Sequence, residues 1–346
     1  MTLSNLIIRA DGNARIGSGH LMRCLTLAQG WRSKGGKVTF ITACNNHAFL
    51  RRLYQEEFQV VKLREPYPNT GDWRITSKIL SDIPDGWVVL DGYHFDSKYH
   101  CQIQETSHRL LVIDDSNHLD IYHANILLNP NINAENLHYT HEPYTRPLLG
   151  TRYFQLRSEF LKWRNWRRSI PRLARKVLVT LGGGDADNQT LKSIQAIQES
   201  EVEGLEATVV IGPDNPNFEE LNSAACGSKL PMRLISNAEN MSELMAWADL
   251  AISAGGSTCC ELAFMGMPVL VITIAENQRT VAEGLDQEGA VVNLGWYADI
   301  TPTHISRKLS VLAKDKDLRA AMSKRGRALV DGRGNERVLK DIMAYA

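Results

Sequence analysis

Short apolar runs of strand length recur along this chain with helical patterns between them. That alternation restricts the fold more than any other feature. In the first half the runs fall at Leu6–Ala10, Lys37–Ile41, Val60–Leu63, Trp87–Leu90, Leu110–Ile113 and Ile126–Leu128. Strands separated by helices predict a parallel sheet covered on both faces. The pattern stops in "FLKWRNWRRSIPRLARK", Phe160 to Lys176, and then restarts. Val177–Leu181, Ala207–Ile211 and Met232–Ile235 read as strands. From Met241 onward the chain reads helix, strand, glycine turn, helix, and a last strand at Val269–Ile274. Residues 301–346 read as helical and charged. The expectation is α/β, in two successive domains of similar size, residues 1–165 and 170–346. The basic segment between them holds Trp163, Trp166 and Pro171. It reads as a connector with a solvated basic face; a segment lying on a membrane surface is the other reading.

Charge excludes more than it suggests. The 346 residues carry 39 basic and 39 acidic side chains, so global charge offers nothing to nucleic acid or to an anionic membrane. Any anionic ligand must be held by a local site. The six cysteines show no C-x-x-C spacing, and the adjacent Cys259 and Cys260 read as small apolar residues on a helix. No apolar run approaches the ~20 residues of a membrane span, and no signal peptide is read at the N-terminus. A cytoplasmic protein is expected, without stable membrane insertion and with its oligomeric state open.

The motifs sit where strands end. "GNARIGSGHLMRCL", residues 12–25, joins the strand ending at Asp11 to a helix with apolar Leu21, Leu25, Ala28 and Trp31. It is not a dinucleotide fingerprint: Gly17 and Gly19 are followed by Met22, and the second strand ends in Thr42-Ala43-Cys44, without an acid. No Lys-Ser/Thr follows a glycine loop, so the Walker pattern fails as well. His20, His94 and His123 lack metal spacing, and no metal or cofactor is expected. "DAD" at Asp185–Asp187 could hold a divalent ion, but Asp187 or Asn188 reads better as a helix N-cap. Two further glycine turns, Gly182–Gly184 and Gly255-Gly256, each join a strand to a helix. Such turns let a diphosphate approach the backbone and meet the helix N-terminus; a plain tight turn is the alternative. Glu261, one helical turn after Thr258, could accept hydrogen bonds from a ribose, or be a solvated helix glutamate.

The blocks "RADGNARIGSGHLMRCLTLA", "VVLDGY", "ILLN", "VTLGGGDADN", "SAGGSTCCE" and "ENQ" occur here in an order that resembles a known family. These are the UDP-2,4-diacetamido-2,4,6-trideoxy-β-L-altropyranose hydrolases of pseudaminic acid biosynthesis. The resemblance spans nearly the whole chain. It implies a GT-B fold, two Rossmann-like domains facing across a cleft, related to the N-acetylglucosaminyltransferase that makes lipid II. It also implies UDP bound by the C-terminal domain, a catalytic histidine in the N-terminal one, and a last helix packing back on the first domain. One departure is visible: the family often reads Asp-His-Tyr where this chain has Asp91-Gly92-Tyr93.

On this resemblance His20 is the general base. Residue chemistry agrees, since a helix N-terminus disfavours imidazolium and a neutral ring can take a proton from water. A histidine merely bonded to the backbone is the other reading. The expected reaction is attack of water on the anomeric carbon of a UDP-sugar, with inversion and release of UDP. Gly183, Gly184, Asn188, Gly255, Gly256, Ser257, Thr258 and Glu261 are expected at the UDP. Asp11, Gly17, Ser18, Gly19, Tyr93, Asn277 and Gln278 are expected at the sugar. Rival readings are a glycosyltransferase of the same fold using a UDP-sugar donor, a hydrolase of a related nucleotide sugar, and a non-catalytic UDP-sugar-binding protein.

Overall fold

A computed structural model describes residues 5–345, apart from 13–18, 84, 183, 184, 186 and 214. By internal contacts the chain divides into two units: Met1–Ser158 with Arg333–Ala346, and Glu159–Gly332.

In the first unit Asn5–Ala10 (β1), Val38–Thr42 (β2), Gln59–Lys62 (β3), Gly86–Asp91 (β4), Arg109–Ile113 (β5), Ile126–Asn129 (β6) and Arg146–Leu149 (β7) form one sheet. Its order is β3-β2-β1-β4-β5-β6-β7. Every pairing is parallel, with Ala10 opposite Asp91. The helices are Gly19–Ser33 (α1), His47–Gln55 (α2), Thr70–Asp82 (α3) and Ser97–Gln104 (α4). The central strands are apolar on both faces because helices cover both. Leu6, Ile8 and Ala10 point into one core with Leu21, Leu25, Ala28 and Trp31 of α1. Ile7, between them, joins Leu80, Tyr99 and Ile103 on the other face. Side-chain caps start α2, α3 and α4: Asn46 accepts from Phe49 N, Asn69 from Gly71 N and Asp96 from Tyr99 N.

The second unit repeats the plan. Lys176–Thr180 (β8), Glu206–Ile211 (β9), Met232–Ser236 (β10), Leu250–Ala254 (β11), Val269–Thr273 (β12) and Val292–Trp296 (β13) order as β10-β9-β8-β11-β12-β13, again all parallel. Its helices are Gln189–Gln198 (α5), Phe218–Cys226 (α6), Met241–Trp247 (α7), Thr258–Phe264 (α8), Arg279–Gln287 (α9), Pro302–Lys314 (α10) and Lys316–Leu329 (α11). Gly334–Met343 (α12) belongs to the first unit, where Val338, Leu339 and Ile342 enter the α1 core.

Both sheets reverse strand order between their first and fourth strands. Ligands of open α/β sheets bind beyond the carboxyl ends of the strands at such a reversal. In the first unit that place is the end of β1 and β4, and in the second the end of β8 and β11.

The basic segment is tied to the second unit. Arg168 donates to the carbonyls of Met245 (2.6 Å), Met265 (3.2 Å) and Ala248, at the ends of α7 and α8. Burial pushes its pKa down to about 10, so it stays cationic at neutral pH.

Candidate functional site

β1 and β4 end side by side, and α1 begins beside them. This puts His20, the second residue of α1, against Asp91, the last residue of β4. His20 Nδ1 lies 2.6 Å from Asp91 Oδ1. Arg23, one helical turn further along α1, clamps the same carboxylate: Nε to Oδ2 at 2.6 Å and Nη2 to Oδ1 at 2.7 Å. Arg23 Nη2 also lies 3.0 Å from His20 Nδ1. One nitrogen cannot both donate to Asp91 and accept from Arg23. The shorter, charge-assisted contact to the carboxylate decides for an Nδ1 proton. Burial alone would raise the Asp91 pKa, but Arg23 and His20 outweigh it and hold the carboxyl well below its ordinary range. The imidazole is therefore oriented by a fixed anion, and among the described residues Nε2 has no hydrogen-bond partner, which leaves that nitrogen for substrate chemistry.

Arg23 reaches further, with Nη1 2.9 Å from Asp115 Oδ2. Asp115 accepts in turn from the Tyr93 hydroxyl and from Asn131 Nδ2 at 3.3 Å. Burial and the Asp115 charge push the Tyr93 hydroxyl far above its ordinary pKa, so it stays a donor. The Tyr93 ring meets the His20 ring edge-on at 5.0 Å. Tyr93 thus touches His20 directly, while its hydroxyl is committed to Asp115.

Asp11 is buried and also committed. Arg9 bonds both its oxygens, each at 2.7 Å, Ala43 N donates to Oδ1 at 2.6 Å, and His94 Nε2 lies 3.1 Å from Oδ2. Arg9 is itself buried against Asp72. Arg9 fixes Asp11 in the wall of the site, where the sequence reading placed a sugar contact. Gly19 is exposed at the start of α1, and Gly17 and Ser18 lie outside the described residues.

In the second unit Gly255 and Gly256 follow β11. Gln278 braces that turn: its Oε1 accepts from Gly255 N (3.2 Å) and Ile274 N (3.1 Å). A Cβ on Gly255 would meet Gln278 O and Cβ, both at 3.1 Å, so a side chain there would fit only if Gln278 gave way by a few tenths of an ångström. Ser257 is exposed and Thr258 half-buried at the start of α8. Glu261 is buried and is therefore not a solvated helix residue. Asn277 is exposed, in the single turn Glu276–Gln278.

Gly183 and Gly184 lie outside the described residues; Gly182, before them, has φ +86°. The cap of α5 differs from the expectation. Asn188 holds the N-cap position in the left-handed region without a side-chain cap bond, and gives its Nδ2 to Glu220. Asp185 does the capping, accepting from Gln189 N (2.7 Å) and Thr190 N (2.8 Å). Gln189 and Thr190 present free amides in the first turn, and the carboxylate four and five residues before them reaches both. Among the described residues, no three His, Cys, Asp or Glu side chains are grouped to hold a metal.

Asp91, Arg23, Asp115 and His94 were not singled out from sequence as site residues. A weak signal existed: Arg23 follows His20 by three positions and so shares its helix face. Nothing local ties Asp91 to either, because the contact spans 71 residues.

Residues 176–333 match the glycosyltransferase family 28 C-terminal domain. The chain is 27% identical over 334 residues to the spore coat polysaccharide biosynthesis protein SpsG of Bacillus subtilis, covering 96% of this chain and 95% of that one. An uncharacterised protein of Methanocaldococcus jannaschii is 27% identical over 282 residues, 79% of this chain and 56% of its own length. The Helicobacter pylori pseudaminic acid cytidylyltransferase and UDP-2,4-diacetamido-2,4,6-trideoxy-β-L-altropyranose hydrolase is 30% identical over 195 residues, 56% of this chain and 34% of that protein. Among solved structures, MurG of Acinetobacter baumannii superposes with a TM-score of 0.70 at 13% identity, covering 98% and 99% of the two chains. LpCGTa in complex with UDP gives 0.66 at 14% identity, covering 99% and 100%. With two parallel-sheet α/β units and these neighbours, the chain has the GT-B glycosyltransferase-like fold.

Proposed function

We propose that this chain is a metal-independent UDP-sugar hydrolase. It cleaves the anomeric C–O bond of a UDP-linked diacetamido-trideoxy sugar with inversion, on a route to pseudaminic-type acids. The observation that carries this reading is the His20–Asp91 pair at the strand-order reversal of the first unit. The partial relation to the Helicobacter pylori hydrolase supports the substrate class.

In this reading the second unit binds UDP through Gly183, Gly184, Asn188, the Gly255–Thr258 turn and Glu261. The first unit supplies the base and contacts the sugar. Water loses a proton to His20 Nε2 as its oxygen bonds to the anomeric carbon. The bond from that carbon to the diphosphate oxygen breaks, and its electron pair leaves with UDP. Asp91 stabilises the imidazolium that forms. The leaving group is already an anion, so a general acid and a second carboxylate are not needed. The family 28 match favours one other reading, transfer of the sugar to an acceptor hydroxyl in place of water.

The test is turnover of UDP-sugars in ¹⁸O-water, followed by NMR of the anomeric proton. Hydrolysis puts the label on the sugar, shows the inverted anomer first, and releases UDP at a rate indifferent to added acceptors. His20→Asn should keep UDP affinity and lose ~10²–10⁴-fold in turnover. Label in UDP would place the attack at phosphorus and reject the mechanism. UDP release that depends on an acceptor would establish the transferase.

A further inference from the structure

His94 is a second histidine held by a carboxylate at the same sheet end, and the function proposed above does not use it. Its Nε2 lies 3.1 Å from Asp11 Oδ2, and its ring packs on Phe95 with centroids 4.1 Å apart. Asp11 is already bonded to Arg9 and to Ala43 N, so its charge is compensated without the histidine. The His94 side chain remains 20% exposed.

The ring is folded back over residue 92. A Cβ at Gly92 would stand 2.6 Å from His94 Cε1 and 2.9 Å from Nδ1, distances real Cβ atoms do not adopt. Gly92 also has φ +153°, which side-chain-bearing residues rarely take. His94 therefore fills space that any other residue at 92 would claim for itself. With Nε2 turned to Asp11, Nδ1 is the polar atom at this point, three residues from Asp91 and next to Tyr93.

We propose that His94 is a specificity-determining residue of the first unit, whose Nδ1 hydrogen-bonds a polar ring substituent of the sugar, a hydroxyl or an acetamido group. Gly92 is its enabling partner. This rests on the reading of the site as a nucleotide-sugar site. Asp11 is then a positioning residue that acts through His94.

His94→Gln separates the roles, because its amide can still donate to Asp11 while the Nδ1 position is lost. The probes are UDP-glucose, UDP-N-acetylglucosamine and UDP-2,4-diacetamido-2,4,6-trideoxy-β-L-altrose. On the best of these His94→Gln should lose about tenfold to a hundredfold in kcat/KM, the range for one hydrogen bond, expressed mainly in KM. The loss should be smaller on a sugar lacking the recognised group, and so tell hydroxyl from acetamido. Inhibition by UDP alone and the thermal midpoint should stay at wild-type values. Gly92→Ala should give the same substrate-dependent loss with His94 still present. Wild-type kcat/KM in His94→Gln on all three sugars overturns the proposal while leaving the hydrolase reading intact. A uniform loss accompanied by weaker UDP inhibition or a lower melting point also overturns it, in favour of a structural role. A wild-type protein that turns over none of the three overturns both.

Discussion

Asp91 is fully buried, and its two oxygens serve His20 and the Nε and Nη2 of Arg23. Replacing it with asparagine keeps the shape but removes the charge that fixes the His20 tautomer. Asp91→Asn should cut turnover by about 10² or more while UDP affinity is retained, measured by steady-state kinetics and calorimetry. A second residue-scale prediction concerns His100, buried beside Tyr122 with no hydrogen bond to Nδ1. Burial, with a smaller repulsion from His123, lowers its pKa to about 4. The unfolded chain therefore takes up a proton near pH 6.5 that the folded chain refuses until about pH 4. Where the unfolded state binds more protons, stability falls as pH falls. Over that window the loss should reach about 3 kcal/mol. Burial lowers the pKa of His118 too, but Asp114 outweighs it and raises it, so its stabilising charge is lost only as pH rises above that window. Denaturant melts at pH 6.5 and 4.5 should show the loss in wild type, and His100→Phe should flatten it. A steep loss retained in the variant would assign it to other groups.

Among the elements, the basic segment shows how charge misleads a one-dimensional reading. "KWRNWRR" offers many cations, yet Arg164 and Arg168 spend theirs on carbonyls of the second unit. Arg168→Ala should destabilise that unit by about 3 kcal/mol, since three buried carbonyls lose a charged donor. Arg168→Lys should recover little, because one ammonium does not reproduce a planar fork. Urea unfolding monitored in the second unit checks both. Among the described residues, eleven of the thirteen strands were legible as apolar runs, usually within a residue or two. The two missed, β7 and β13, are edge strands. β7 reads Arg-Pro-Leu-Leu and β13 contains Gly295, so neither carries the apolar density of a central strand. Their pairing exists because a neighbouring strand offers free backbone groups, which the local sequence does not record.

For the whole molecule, the first unit is not contiguous in sequence. α12 supplies Val338, Leu339 and Ile342 to its core, Asn335 bonds Thr26 O at 2.9 Å, and the Tyr345 ring meets Trp87. Truncation after Gly332 removes three buried aliphatic side chains, worth roughly 1.5–3 kcal/mol each. The first unit should then unfold at markedly lower urea while the second keeps its transition, and limited proteolysis should cut first within residues 1–158. Equal transitions in the full and truncated chains would show that α12 contributes nothing.

By itself the sequence determined the strand–helix alternation, the restart after residue 176, the glycine turns at strand ends, and His20 at the start of α1. These are local: burial on two faces demands continuous apolar runs, and a tight turn demands glycine. The tertiary structure decided which carboxylate each histidine meets. His20 pairs with Asp91 and His94 with Asp11 only because β1 and β4 lie adjacent and parallel, bringing Ala10 opposite Asp91 across 81 residues of chain. Electrostatic partners are chosen by distance in space, and strand order, not spacing in sequence, sets that distance.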